Sequence, residues 1–252
     1  MPSGFQFPWV STESFDAETA VHRLGPSLAA RSWDDLGKVL ANSDEHTSIN
    51  LAGDKWDISG TFNIDRSVTF SGVGRATQIR KAFQGNETMV IIRADKAVLE
   101  NIWFRDEDDT KDGTALLLSG ASDVIVRNCF FEGFRTCIQI SGGSRIRVHD
   151  CHFESVGRDE SGVANFGVTV DTTASGVAIS SNVIAVQEVG DTGANRAIKL
   201  GSDVTDCTVT GNVCIPTTRV EFTNSGAAQA FATDGGSDNH VAGNSAVLAE
   251  ST

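Results

Sequence analysis

Glu132 and Glu154 each end a short apolar segment, Cys129-Phe-Phe-Glu132 and Cys151-His-Phe-Glu154, 22 residues apart. Arg105 closes the matching segment Ile102-Trp-Phe-Arg105. If the three segments stack as neighbouring strands, their charged side chains line up about 4.8 Å apart. Carboxylates one strand apart suit a retaining glycoside hydrolase, and carboxylates two strands apart an inverting one. The plainer reading is a charge ladder. Like charges on adjacent strands repel, so Arg105, a cation or a partner chain must relieve them.

Other carboxylates gather in loops: Asp106, Glu107, Asp108, Asp109 and Asp112, then Asp159 and Glu160, then Glu188 and Asp191. Stacked side by side, such loops offer a glycoside-hydrolase pair or a calcium site able to hold an acidic sugar, with Asp108, Asp109, Asp112, Asp159 and Glu160 as ligand-binding candidates. No cofactor is expected apart from calcium at these loops. Solvated loop acids on an acidic protein are the alternative.

Positioning these groups requires a repeat. The chain writes one phrase six times, an aliphatic residue, two polar residues, a small or polar residue and an apolar pair: Leu99–Phe104, Val126–Phe131, Val148–Phe153, Ile179–Ile184, Val209–Cys214 and Val241–Ala246. Its markers at 99, 126, 148, 179, 209 and 241 lie 22 to 32 residues apart, which means stacked units sharing a core. Before most markers runs a second alternation, Leu116/Leu118, Ile138/Ile140, Val168/Val170 and Ile198/Leu200, at a nearly constant distance. Length varies only between the end of a phrase and the next alternation, so every insertion leaves one edge. Short period-2 strands in units of about 22 residues predict an all-β fold, a single-stranded right-handed parallel β-helix with three strands per coil.

Pleat alternation points Phe104, Phe131, Phe153, Ile184, Cys214 and Ala246 inward. Ile102, Cys129, Cys151, Asn182, Asn212 and Asn244 also point in, the last three as a structural asparagine ladder. Between these lies an outward column, Trp103, Phe130, His152, Val183 and Val213. Cover by the N-terminal arm, sugar stacking and a subunit interface compete to explain it, and its aliphatic end favours the interface. The second alternation turns Leu117, Gln139, Thr169 and Lys199 outward beside Arg196, which makes Gln139, Thr169 and Arg196 further ligand-binding candidates.

Ser32–Leu40 carries an N-cap serine, early acids and an apolar stripe at Trp33, Leu36, Val39 and Leu40. The expected organisation is an arm over 1–30, a capping helix over 31–47 and the β-helix over 48–252. The net charge of −13 repels phosphate backbones and anionic lipid, which excludes nucleic-acid and membrane partners. Neither a membrane span nor the basic and apolar regions of a signal peptide are found. The five cysteines read as buried free thiols, and no zinc spacing occurs.

Val68-Thr-Phe-Ser-Gly-Val-Gly-Arg-Ala-Thr-Gln-Ile-Arg80, after a helix and the Ile49-Asn-Leu51 strand, resembles the opening of pectin-lyase-like right-handed β-helix proteins. There a strand runs into G-x-G and then a T-x-I strand, and Gly72 and Gly74 are accordingly expected to form a turn. The resemblance covers roughly residues 32 to 248. It takes in pectate and pectin lyases, polygalacturonases, epimerases and phage tailspikes. This chain looks most like a phage spike or fibre module, since free cysteines and no signal peptide suit assembly in host cytoplasm. That implies a virion location, a homotrimer, attachment to other virion proteins through the arm, and recognition of host-surface polysaccharide. A lyase or hydrolase beside the acidic edge is the alternative, and a structural decoration protein the third. A lyase of this fold uses a Lys or Arg base, which adds Lys199 to Glu132 and Glu154 as candidate catalytic residues, with Arg196 conceivable.

Overall fold

A computed structural model describes residues 23–24, 36–38, 40, 44–51, 53–107, 113–156, 166–171, 173–186, 196–216, 232–234 and 236–246. The chain winds as a parallel β-helix. Two long strands, Val68–Lys81 and Val98–Asp106, each run along two faces of the coil. Beyond them the faces separate. The first continues through Ile125–Arg127, Arg147–His149, Ala178–Ser180, Thr208–Thr210 and His240–Ala242, and the second through Phe130–Glu132, His152–Val156, Val183–Val186, Val213–Pro216 and Ser245–Ala246. A third, seven-stranded face runs from Phe62–Ile64 through Thr88–Ile92, Thr114–Ser119, Thr136–Ser141, Phe166–Asp171 and Arg196–Leu200 to Ala232–Asp234.

The six markers stand in one column, Leu99 beside Val126, Val148, Ile179, Val209 and Val241 in turn. The inward aromatics do the same on the second face. Phe104, Phe131 and Phe153 stack with ring centroids 5.1 and 5.0 Å apart and planes within 11°. All three are fully buried. Offset-stacked rings at this spacing add about 1 kcal/mol per pair beyond the area they bury.

The two polar residues of the phrase turn the corner between first and second faces. Asn101, Asn128, Asp150 and Ser181 take φ between 50° and 58°, and Gly211 and Gly243 fill the last two corners. This left-handed region is tolerated best by Asn, Asp and Gly, which explains the polar residue before each inward one. Inside the corner the asparagine ladder forms as expected. Asn182 Nδ2 donates to Asn212 Oδ1 at 2.9 Å and to the Val148 carbonyl at 3.0 Å. Asn212 Nδ2 repeats this to Asn244 Oδ1 and the Ile179 carbonyl. Each Oδ1 also accepts the backbone N–H one coil back, Cys151 to Asn182 and Asn182 to Asn212.

Gly72 and Gly74 lie where Val68–Lys81 passes the corner between the first and second faces, opposite Asn101; Gly74 takes φ 65°, and the register against Val98–Asp106 slips twice, between Ser71 and Gly74 and between Gly74 and Gln78. A Cβ on Gly72 would lie 2.3 Å from the Asn101 carbonyl, so glycine lets the neighbouring corner approach. The extra residues bulge outward and carry exposed Val73 and Arg75. Asp106, grouped with the loop acids, ends its strand buried against Lys81, to which it also stands in register.

Residues 36–38 and 40 are helical, with Leu36 and Leu40 buried in the core. Arg23–Leu24 pair in parallel with Asn50–Leu51; the rest of the arm lies outside the described residues. No disulfide forms, and Cys129, Cys137, Cys151 and Cys207 are buried. Burial pushes the Cys137 and Cys151 thiols well up and Cys214 to about 11. Among the described residues no helix is long and apolar enough to cross a membrane.

Candidate functional site

The second face presents two outward columns. In the first, Lys55, Gln78, Trp103, Phe130, His152, Val183, Val213 and Ser245 follow one another in register. Trp103, Phe130, His152, Val183 and Val213 are all part-exposed. The aromatic end is not bare. Arg75, thrown out by the bulge, sets its guanidinium 4.7 Å from the Phe130 ring centroid and 5.6 Å from that of Trp103. Arg105 lies 5.5 Å from the Trp103 ring. Such contacts are worth about 0.5–1 kcal/mol at exposed sites.

Two residues along on the same side runs a charged column, Asp57, Arg80, Arg105, Glu132 and Glu154. Its like-charge neighbours are relieved from the side. Arg80 donates to both oxygens of Asp57 at 2.6 and 2.7 Å and to Glu107 at 3.0 Å. Arg105 stands 3.7 Å from Glu107 and 3.8 Å from Glu132. Glu154 meets Arg75 at 3.5 Å and the His152 ring at 3.8 Å. Burial lowers the His152 pKa, with Arg75 adding to the effect and Glu154 opposing it.

On the third face, Gln139 lies in register with Leu117 and Thr169, and Thr169 with Lys199. Asp171 binds this group together. It accepts from Gln139 Nε2 at 3.1 Å and the Thr169 hydroxyl at 3.2 Å, and Lys199 Nζ lies 3.6 Å away. Lys199 also sits 5.4 Å from the Phe166 ring. Thr169 is buried, while Gln139 and Lys199 are part-exposed.

Glu132 and Glu154 therefore stand side by side, but Lys199 is placed on another face with Asp171 as its carboxylate. The three do not form one cluster. Arg196 pairs with Phe166 in the third sheet. Asp108, Asp109, Asp112, Asp159 and Glu160, and with them the calcium site, lie outside the described residues. Among the described residues no three His, Cys, Asp or Glu side chains group closely enough to hold a metal ion. Sequence reasoning missed Arg75, Phe166 and Asp171. Asp171 was open to it, since it lies two residues beyond Thr169 and so shares its face. Arg75 was not, because its direction depends on the bulge.

Comparisons with known proteins bear on the fold. No curated protein matches the chain. Among solved structures, the viral protein ORF18 of Geobacillus virus E2 aligns with a TM-score of 0.53 at 8% identity, over 92% of this chain and 58% of that one. This chain thus spans less than two thirds of the viral protein's length. A tailspike protein of E. coli bacteriophage HK620, solved with a pentasaccharide, aligns with a TM-score of 0.47 at 16% identity over 96% of this chain and 61% of its own. An alginate lyase from Paenibacillus sp. gives 0.46 at 12% over 89% and 97%. The model of the family described as "Right handed beta helix region" matches residues 66–246, and that span holds the repeat and both columns from Gln78 and Arg80 onward, so the chain belongs to the right-handed β-helix family.

Proposed function

We propose that this chain is a spike or fibre component of a virion that recognises host-surface polysaccharide on the second face of its β-helix. The observation that carries the reading is the part-exposed column Trp103, Phe130 and His152 beside Arg105, Glu132 and Glu154. Aromatic rings next to paired donors and acceptors suit sugars, whose rings offer an apolar face and a hydroxyl rim. Coils about 4.8 Å apart match repeating binding elements to a repeating ligand. The viral origin of one fold neighbour agrees with the virion role. Val183, Val213 and the exposed Ile215 at the aliphatic end form the subunit contact of a homotrimer, and the N-terminal arm attaches the spike to other virion proteins. Polysaccharide binding by the intact protein, compared with Trp103→Ala and Phe130→Ala, tests the reading. Loss of at least about tenfold in affinity, or about 1.4 kcal/mol, is expected; unchanged affinity in both variants removes the site. Mass measurement in solution tests the trimer, which a strict monomer contradicts.

A second reading, hydrolysis or lysis of the bound polysaccharide, is favoured by Glu132 and Glu154 standing in register one coil apart, near the spacing a retaining mechanism uses. Activity unchanged by Glu132→Gln, Glu154→Gln and Lys199→Ala would exclude these residues from it.

A further inference from the structure

We infer that the polysaccharide recognised on the second face is uncharged; the inference rests on the proposed function and narrows its ligand class. Every arginine of that face already holds a carboxylate. Arg80 is shared by Asp57 and Glu107, Arg105 by Glu107 and Glu132, and Arg75 is taken by Glu154. Lys55, at the start of the aromatic column, has Asp57 two residues along on the same face, but Asp57 is held by Arg80. Three arginines thus meet four carboxylates, and with Lys55 the positive and negative charges of this face are equal in number.

A polymer of uronate or sulfated sugar needs cations that are available to it. To serve one here, a guanidinium must leave its carboxylate and set that carboxylate beside the incoming anion, a like-charge contact that disfavours binding. The whole chain, at −13, repels the same polymer at longer range. Hydroxyl groups meet no such obstacle. A paired guanidinium keeps spare N–H donors and a paired carboxylate spare lone pairs, and both can bind hydroxyls without separating. Trp103 and Phe130 supply the surface on which a sugar ring lies. The charge matching also gives a ligand-free role to Arg75, which neutralises Glu154 while leaving part of both rings open.

The test is isothermal titration of the intact protein with dextran, mannan, galactan and neutral bacterial O-polysaccharides, against polygalacturonate, alginate and hyaluronate, at about 20 and about 200 mM salt. The expected result is binding within the neutral set that changes less than about twofold with salt, and none to the acidic set, because released counterions produce salt dependence only for charged ligands. The double variant Glu132→Gln/Glu154→Gln frees Arg75, leaves Arg105 with Glu107 alone and removes two negative charges from the face, and should gain about tenfold or more in affinity for polygalacturonate at low salt. Melting temperature confirms that the variant is folded. Wild-type binding to the acidic set in preference to the neutral one overturns this inference and leaves polysaccharide recognition standing. Binding to neither set overturns both.

Discussion

Lys81 Nζ lies 3.2 Å from Asp106 Oδ2, and both side chains are withdrawn completely from solvent. The ammonium also donates to the Gly85 carbonyl at 2.8 Å and faces the Phe83 ring at 5.1 Å. The pair ends the second face just before the first variable connection, so an ionic contact sits where the apolar stack stops. A buried pair repays its desolvation only when both charges are present.

Removing one partner should therefore cost more than removing both. Lys81→Met and Asp106→Leu each leave one buried charge and should destabilise by about 3–5 kcal/mol. The double substitution should recover most of that loss. Denaturant unfolding of the three variants gives the coupling directly, and additive losses would show that the two charges act independently.

The asparagine ladder makes a graded prediction. Asn212 accepts from the Asn182 backbone and side chain and donates to Asn244 and the Ile179 carbonyl, all inside the corner. Asn212→Ala strands several of these groups and should cost about 3 kcal/mol or more, because each buried polar group left unpaired costs about 1–3 kcal/mol. Asn244, part-exposed at the end of the ladder, should cost less when replaced by Ala. Equal losses at the two positions would mean that the ladder does not act through burial.

The ladder and the aromatic stack were legible in the sequence because both repeat at the coil period and occupy inward positions. A residue that recurs in register needs no tertiary information to be placed. Arg75 and Lys81 were not legible, for two different reasons. Arg75 rides on a bulge, where extra residues break the alternation that assigns a side to each side chain. Lys81 violates the expectation that lysine stays exposed, and the buried Asp106 beside it, with the Gly85 carbonyl, explains the violation. Asp106 in turn was hidden by its neighbours, since a run of acids reads as a solvated loop. The catalytic trio separated because Glu132 and Glu154 share a face and Lys199 belongs to another, and a linear spacing does not encode which faces of a coil adjoin.

His152 sets a pH dependence. Its folded-state pKa is lowered from 6.5, chiefly by burial, so the unfolded chain binds its proton more readily. Stability from this group is fully present above the unfolded value and is lost as pH falls from about 6.5 through the lower folded value. His152→Gln should flatten that part of the stability–pH curve and leave the curve above about pH 7 unchanged in slope. Denaturant midpoints across the window measure it. A wild-type curve as flat as the variant's would show that the shift is absent.

Arg75 gives the most direct reading of the outward column. Its side chain is about half exposed, so its contact with Glu154 contributes little stability, on the order of 1 kcal/mol or less. Arg75→Ala should therefore leave the melting temperature nearly unchanged while baring Trp103 and Phe130. Tryptophan fluorescence should become more accessible to a neutral quencher such as acrylamide, because one cover of the Trp103 ring is gone. Affinity for a neutral polysaccharide should fall severalfold through lost hydrogen bonds, and weak binding to an acidic one should not appear, since Glu154 then stands without its cation. Unaltered quenching would place the guanidinium away from the ring in solution. A new affinity for polygalacturonate would mean that the charge of Glu154 does not govern ligand choice.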